Sequence, residues 1–166
     1  SVVCDDKTIA YDVYRGGKYT KYTADIVRNW TDAETQLVNA SDYLPGETGQ
    51  FLSIPFNEGD SGESIRLEGE LSANFGAAAS RLRIVLYNPD EKEISVFLGI
   101  KYRDTGLKQK LISERVIAPG ELVTIDIRNI YGFSWNLYGA TEYFELGING
   151  GETCRLLIGS VEFYME

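Results

Sequence analysis

The sequence has no histidine, only two cysteines and one methionine, and its 16 lysines and arginines are outnumbered by 25 carboxylates. Each shortage excludes something. Without histidine, most acid–base schemes, metallohydrolase sites and facial triads lose their usual side chain, leaving carboxylates as the main candidates for catalysis. The tetrapeptide Gly59-Asp60-Ser61-Gly62 looks like the surroundings of a serine nucleophile. A serine hydroxyl needs an adjacent base near neutral pH, so the stretch reads as a glycine-rich acidic turn. A net charge of −9 with scattered basic residues argues against nucleic acid or an anionic membrane as partner. No apolar run approaches the roughly 20 residues of a membrane helix, so membrane insertion is not expected. No basic, apolar leader opens the chain, which implies a removed signal peptide or a module cut from a longer protein.

The cysteines, Cys4 and Cys154, lie near opposite ends and lack metal-ligand spacing. Two readings stay open for them. As a disulfide they would close a very long loop, contributing about 5 kcal/mol at most by chain entropy; otherwise they are two buried thiols.

What the chain does have is alternation. In SIRLEGELSA, Ile65, Leu67, Leu71 and Ala73 fall on one side and Arg66, Glu68, Glu70 and Ser72 on the other, the pattern of a half-buried strand. RLRIVLYN turns Leu82, Ile84 and Leu86 inward, and EISVFLGIKY does the same with Ile94, Val96, Leu98, Ile100 and Tyr102. QFLSIPF, KQKLISERVI, LVTIDI, YFELGI and CRLLIGSVEFYM predict further strands, as do IAYDVYRGG and KYTKYTADIV. Turn chemistry separates them: NPDEKE, a Pro-Gly type II signal in APGE, and Asn149-Gly150 for a tight hairpin. Thr31 with Glu34 three residues on forms a capping box, which predicts one short helix near residues 31–38. Short turns between strands with one polar face imply antiparallel sheets packed as a sandwich, at a length that suits one domain over residues 1–166.

Glu68 and Glu70 share a strand face, but two exposed glutamates on one strand are ordinarily a solvated surface, not a glycosidase pair, and no catalytic residue is nominated. The sequons at Asn29 and Asn39 are about as frequent as chance allows. No cofactor is expected. A structural calcium ion stays open, since the turns CDD, NEGDSGE and NPDEKE offer oxygens, though none has a spaced calcium-loop pattern.

The aromatic balance is unusual, with 11 tyrosines against 7 phenylalanines and 2 tryptophans. A tyrosine ring pairs an apolar face with a polar tip and so suits polar, sugar-like ligands. Strand parity turns Arg83, Tyr87, Phe97, Lys101, Asp126, Tyr143 and Glu145 away from the core, and these are the candidate ligand-binding residues. Trp135 and Tyr138 join them from a loop-like stretch, YGFSWNLYGA. The bland counterpart is that rings such as Tyr87 and Phe97 pack beneath a loop or a neighbouring domain.

From SIRLEGELSA through LRIVLYNPDEKEISVFLGIKY, VIAPGELVTIDI, YFELGINGG and CRLLIGSVEFY, the chain resembles jelly-roll carbohydrate-binding modules of the galactose-binding-like class. The likeness covers roughly residues 50–166 and lies in strand and turn patterns. It implies an all-β, two-sheet antiparallel sandwich of the jelly-roll type, bacterial and extracellular in style, secreted or at the cell surface. Its implied role is non-catalytic binding of a polysaccharide while tethered to other domains of a parent protein. The alternative is a structural or protein-interaction module of a surface protein. One departure stands out: many such modules carry an Asp in the last strand where Gly159 stands here, which weakens the case for an ion and, with Ser160, predicts a bulge.

Overall fold

Wherever apolar and polar residues alternate, the backbone extends. The computed structural model describes residues 8–28, 35–56, 64–69, 81–102, 106–128, 141–149 and 154–164, and nearly all of them are strand. The strands are β1 (Thr8–Arg15), β2 (Lys18–Arg28), β3 (Gln36–Asn39), β4 (Gln50–Phe56), β5 (Ser64–Gly69), β6 (Arg81–Tyr87), β7 (Ile94–Tyr102), β8 (Lys108–Ile117), β9 (Leu122–Arg128), β10 (Thr141–Ile148) and β11 (Cys154–Tyr164).

Two sheets face each other. One runs β3-β4-β11-β6-β9 and the other β2-β5-β10-β7-β8. β1 joins them along one side, antiparallel to β2 and parallel to the end of β11, with Asp12 beside Glu162 and Tyr14 beside Tyr164. The remaining pairings among the described strands are antiparallel. The sequence-based expectation of an all-β, two-sheet sandwich is what the molecule adopts.

The core lies between the sheets and is built by parity. Leu82, Ile84 and Leu86 of β6 meet Val96 and Leu98 of β7 and Phe144 and Leu146 of β10 in one buried cluster. Each such aliphatic side chain removed from water contributes roughly 1.5–3 kcal/mol. Where β1 closes the sandwich the core turns aromatic: Tyr11 stacks on Tyr22 at 5.8 Å and meets Phe163 edge-on at 5.9 Å, and Phe163 meets Phe144 at 6.0 Å.

Turn chemistry is specific. Gly120 takes a φ of 70° in the APGE turn, the left-handed position that a type II turn requires. Buried Asn88, which ends the YN stretch, clips two turns together. Its Nδ2 donates to the carbonyls of Lys92 at 2.8 Å and Ile117 at 2.9 Å, and its Oδ1 accepts from the Asp90 amide at 2.9 Å.

The helix expected near 31–38 is corrected. Gln36–Asn39 is strand β3, with Leu37 beside Leu52 and Val38 beside Phe51 of β4. Cross-strand packing outweighs a local capping signature there, and a single 3-10 turn follows at Ala40–Asp42. Thr31 and Glu34 themselves lie outside the described residues, as do the GDSG stretch and Gly150 of the expected hairpin. The bulge foreseen at Gly159-Ser160 is present, where the β11–β6 register shifts between Ile158 and Ser160. A Cβ on Gly159 would stand 2.7 Å from Cε1 of Phe51 and 3.2 Å from Cγ1 of Val85, so glycine here makes room for the Phe51 ring.

Candidate functional site

β5, β10, β7 and β8 are consecutive neighbours, so their outward residues share one face. Register sets Tyr143 beside Lys101, Glu145 between Gly99 and Arg66, and Gly147 between Phe97 and Ser64. β8 adds Lys108 beside Lys101 and Lys110 beside Gly99. Of the residues nominated from sequence, Phe97, Lys101, Tyr143 and Glu145 come together here.

The contacts on this face are polar heads fixed by rings. The Arg66 guanidinium lies 4.6 Å from the centre of the Tyr143 ring, with Lys101 Nζ at 5.8 Å, while Lys110 Nζ sits 4.0 Å over Phe97. Such contacts are worth about 0.5–2 kcal/mol each and hold long cationic side chains in one place. Lys101 also pairs with Glu142 at 2.7 Å, and that carboxylate holds its ammonium above the ordinary 10.5. Ser64 donates to Glu145 at 2.6 Å. The Tyr143 hydroxyl, by contrast, is buried with no hydrogen-bond partner among the described residues.

Three of the nominated rings are not exposed as expected. Phe97 and Tyr143 project from the outer face but are only 4% and 3% exposed, with cations over them. They position charged groups; their faces do not offer a stacking surface. Tyr87, 7% exposed, lies on the other sheet, stacked on Phe51 at 6.1 Å and against Tyr43 at 5.9 Å. Ala40 and Leu44 of the 40–49 segment complete that small cluster, so the bland reading of a ring beneath a loop holds for Tyr87.

Arg83 and Asp126 sit opposite one another on β6 and β9, on the outer face of the other sheet, so the nominated residues divide between the two sides of the sandwich. Parity reveals which side of a strand a residue takes, not which sheet the strand joins. Asp126 accepts two hydrogen bonds from Arg81, one from Nε at 2.7 Å, and this guanidinium holds its carboxyl below the ordinary 3.8. Trp135, Tyr138 and Cys4 lie outside the described residues; Cys154 begins β11, half-buried beside Phe56.

Ser64, Arg66 and Lys110 complete the first face and were not nominated. Parity had placed Arg66 outward, and the alternating lysines of KQKL carry the same signal for Lys110. For calcium, no cluster of three or more His, Cys, Asp or Glu occurs among the described residues. In the NPDEKE turn, Asp90 accepts from the Arg155 amide at 2.9 Å and Asn88 Oδ1 accepts from the Asp90 amide. Among the described residues no helix is long and apolar enough to cross a membrane.

No protein-family model matches this chain, and no curated protein does. Solved structures do match. The CBM22-1 xylan-binding domain from Paenibacillus barcinonensis superposes with a TM-score of 0.60 at 8% identity, covering 82% of each chain. The CBM22-1-GH10 modules of a Clostridium thermocellum endo-1,4-β-D-xylanase, complexed with xylohexaose, give 0.57 at 8% identity over 82% of this chain but only 25% of that one. A family 11 carbohydrate-binding module of a Clostridium thermocellum cellulosomal cellulase gives 0.53 at 10% identity, covering 100% of this chain and 95% of the other. At such identities what is shared is the fold, the two-sheet β-sandwich.

Proposed function

We propose that this chain is a non-catalytic polysaccharide-binding module, one part of a larger secreted or cell-surface bacterial protein. The carrying observation is the outer face of β5, β10, β7 and β8. Around Tyr143, whose buried hydroxyl has no hydrogen-bond partner among the described residues, stand Arg66, Lys101 and Glu145. Donors and acceptors held in fixed positions suit the hydroxyls of a sugar chain, because little side-chain freedom remains to be lost on binding. The structural neighbours support the ligand class, being in one case a xylan-binding domain and in another a complex with xylohexaose. Recognition here rests on hydrogen bonding from ring-seated cations and Glu145, and tethering to a parent protein offsets weak affinity per site.

Glu142 and Glu145 beside Tyr143 are engaged, by Lys101 and Ser64 respectively, which favours binding over hydrolysis. One observation favours the rival reading of a structural or protein-interaction module: the burial of Phe97 and Tyr143. Electrophoresis through gels containing soluble xylan, mixed-linkage β-glucan or agarose separates the two. The binding module is retarded in at least one gel, and Arg66→Ala with Glu145→Gln reduces the retardation. A spacer migrates alike in all of them.

A further inference from the structure

The surface where β1 joins the two sheets carries a feature that the first face lacks, a row of three tyrosines of which Tyr19 is open to solvent and Tyr14 and Tyr164 are half-buried. Register aligns Tyr19 of β2, Tyr14 of β1, Tyr164 of β11 and Arg81 of β6 across four neighbouring strands. Ring centres are 5.0 Å apart for Tyr14 and Tyr19 and 5.5 Å for Tyr14 and Tyr164, and the Arg81 guanidinium lies 4.8 Å over Tyr164. Tyr19 is 58% exposed, the largest exposure of any large apolar side chain among the described residues. Cross-strand aromatic pairs also stabilise sheets, but a ring that stays mostly in water contributes little burial by doing so.

The next row inward is ionic and nearly balanced. Lys21, Asp12, Glu162, Arg83 and Asp126 follow one another from β2 to β9. Tyr164 donates to Glu162 at 2.7 Å. Beyond that row Ser160 and Val85 lead to a cleft of about 380 Å³ beneath the 40–49 segment, which Leu122 and Phe51 also line. With Lys21, Arg83 and Arg81 set against Asp12, Glu162 and Asp126, the face has little net charge with which to attract a charged polymer. It offers ring faces, donors and acceptors, the combination that sugar hydroxyls and C–H faces use.

We propose that this outer face is a second carbohydrate-binding surface, taking a neutral oligosaccharide that stacks on Tyr19 and Tyr14 and hydrogen-bonds to Arg83 and Glu162. The inference rests on the reading of the chain as a polysaccharide binder, and adds that the molecule holds two glycan chains at separate surfaces. Two sites joined rigidly gain avidity on a polymer and cross-link it in solution.

Titration calorimetry of the intact chain with xylohexaose and with a β-1,3-1,4-mixed-linked tetrasaccharide tests this, alongside turbidity of the soluble polysaccharides. We expect two sites for wild type. Tyr19→Ala weakens one of them about tenfold, equivalent to roughly 1.4 kcal/mol and of the size of a ring contact, and ends cross-linking. Tyr19→Phe stays close to wild type, and Arg66→Ala with Glu145→Gln leaves only the tyrosine site. A single site unaffected by Tyr19→Ala overturns the second surface while sparing the first. So does self-association that Tyr19→Ala dissolves without any change in glycan binding, which would make this face a contact between copies of the chain. No binding of any glycan by wild type overturns both readings together.

Discussion

Asn88 and Gly159 show how single residues set the frame on which both faces stand. Asn88 is fully buried, and its side chain serves the Lys92 and Ile117 carbonyls and the Asp90 amide at once. Asn88→Ala leaves those groups without partners and should cost about 2–4 kcal/mol, read as a lower urea midpoint at unchanged slope. At Gly159 an added methyl group meets the Phe51 ring at 2.7 Å. Gly159→Ala should cost about 1–3 kcal/mol, and Gly159→Ala with Phe51→Leu should recover part of it. Tyr143 behaves in the opposite sense. Removing its buried, unpartnered hydroxyl in Tyr143→Phe should raise stability by up to about 1 kcal/mol while weakening glycan binding several-fold. A purely structural Tyr143 would show the first effect without the second. The sequence signals these residues unequally: YN before a turn points to Asn88, whereas the partner that forbids a side chain at 159 comes from distant β4.

At the scale of elements, the alternating stretches are legible because a strand's side chains change face at every residue. Leu82, Ile84 and Leu86, or Phe144, Leu146 and Ile148, therefore declare themselves as core through their spacing alone. The same rule fails at residues 36–38, where Leu37 and Val38 sit too close to a capping signature to be told from a helix without β4 beside them. It is silent as well on what lies above an outward ring, which is why Phe97 and Tyr143 turn out covered. The β6–β9 pair carries a pH prediction. Asp126 has its carboxyl held below 3.8 by Arg81, so the fold refuses a proton that the unfolded chain accepts. The stabilisation is complete above 3.8 and is lost as pH falls through the depressed folded value. Asp126→Asn should be less stable than wild type near neutral pH, the difference vanishing in strong acid, as urea midpoints across that range will register.

For the whole molecule, chain order conceals the pairing that matters most. β1 and β11 lie at opposite ends of the described chain, yet their short parallel contact joins the sheets and sets Tyr14 beside Tyr164. No local pattern announces this contact, because its partners lie 150 residues apart, Tyr14 and Tyr164 included. Sheet membership likewise splits the nominated residues, giving Phe97, Lys101, Tyr143 and Glu145 to one side and Arg83 and Asp126 to the other. The sandwich thus presents two differently built outer surfaces, one with charged groups seated on covered rings and one with the exposed Tyr19 ring beside nearly balanced charges. Affinity electrophoresis in soluble xylan, mixed-linkage β-glucan and agarose tests the central claim most directly. Polysaccharide binding predicts retarded migration of wild type in at least one gel, reduced by Arg66→Ala with Glu145→Gln; wild-type migration unaltered in all three would contradict it.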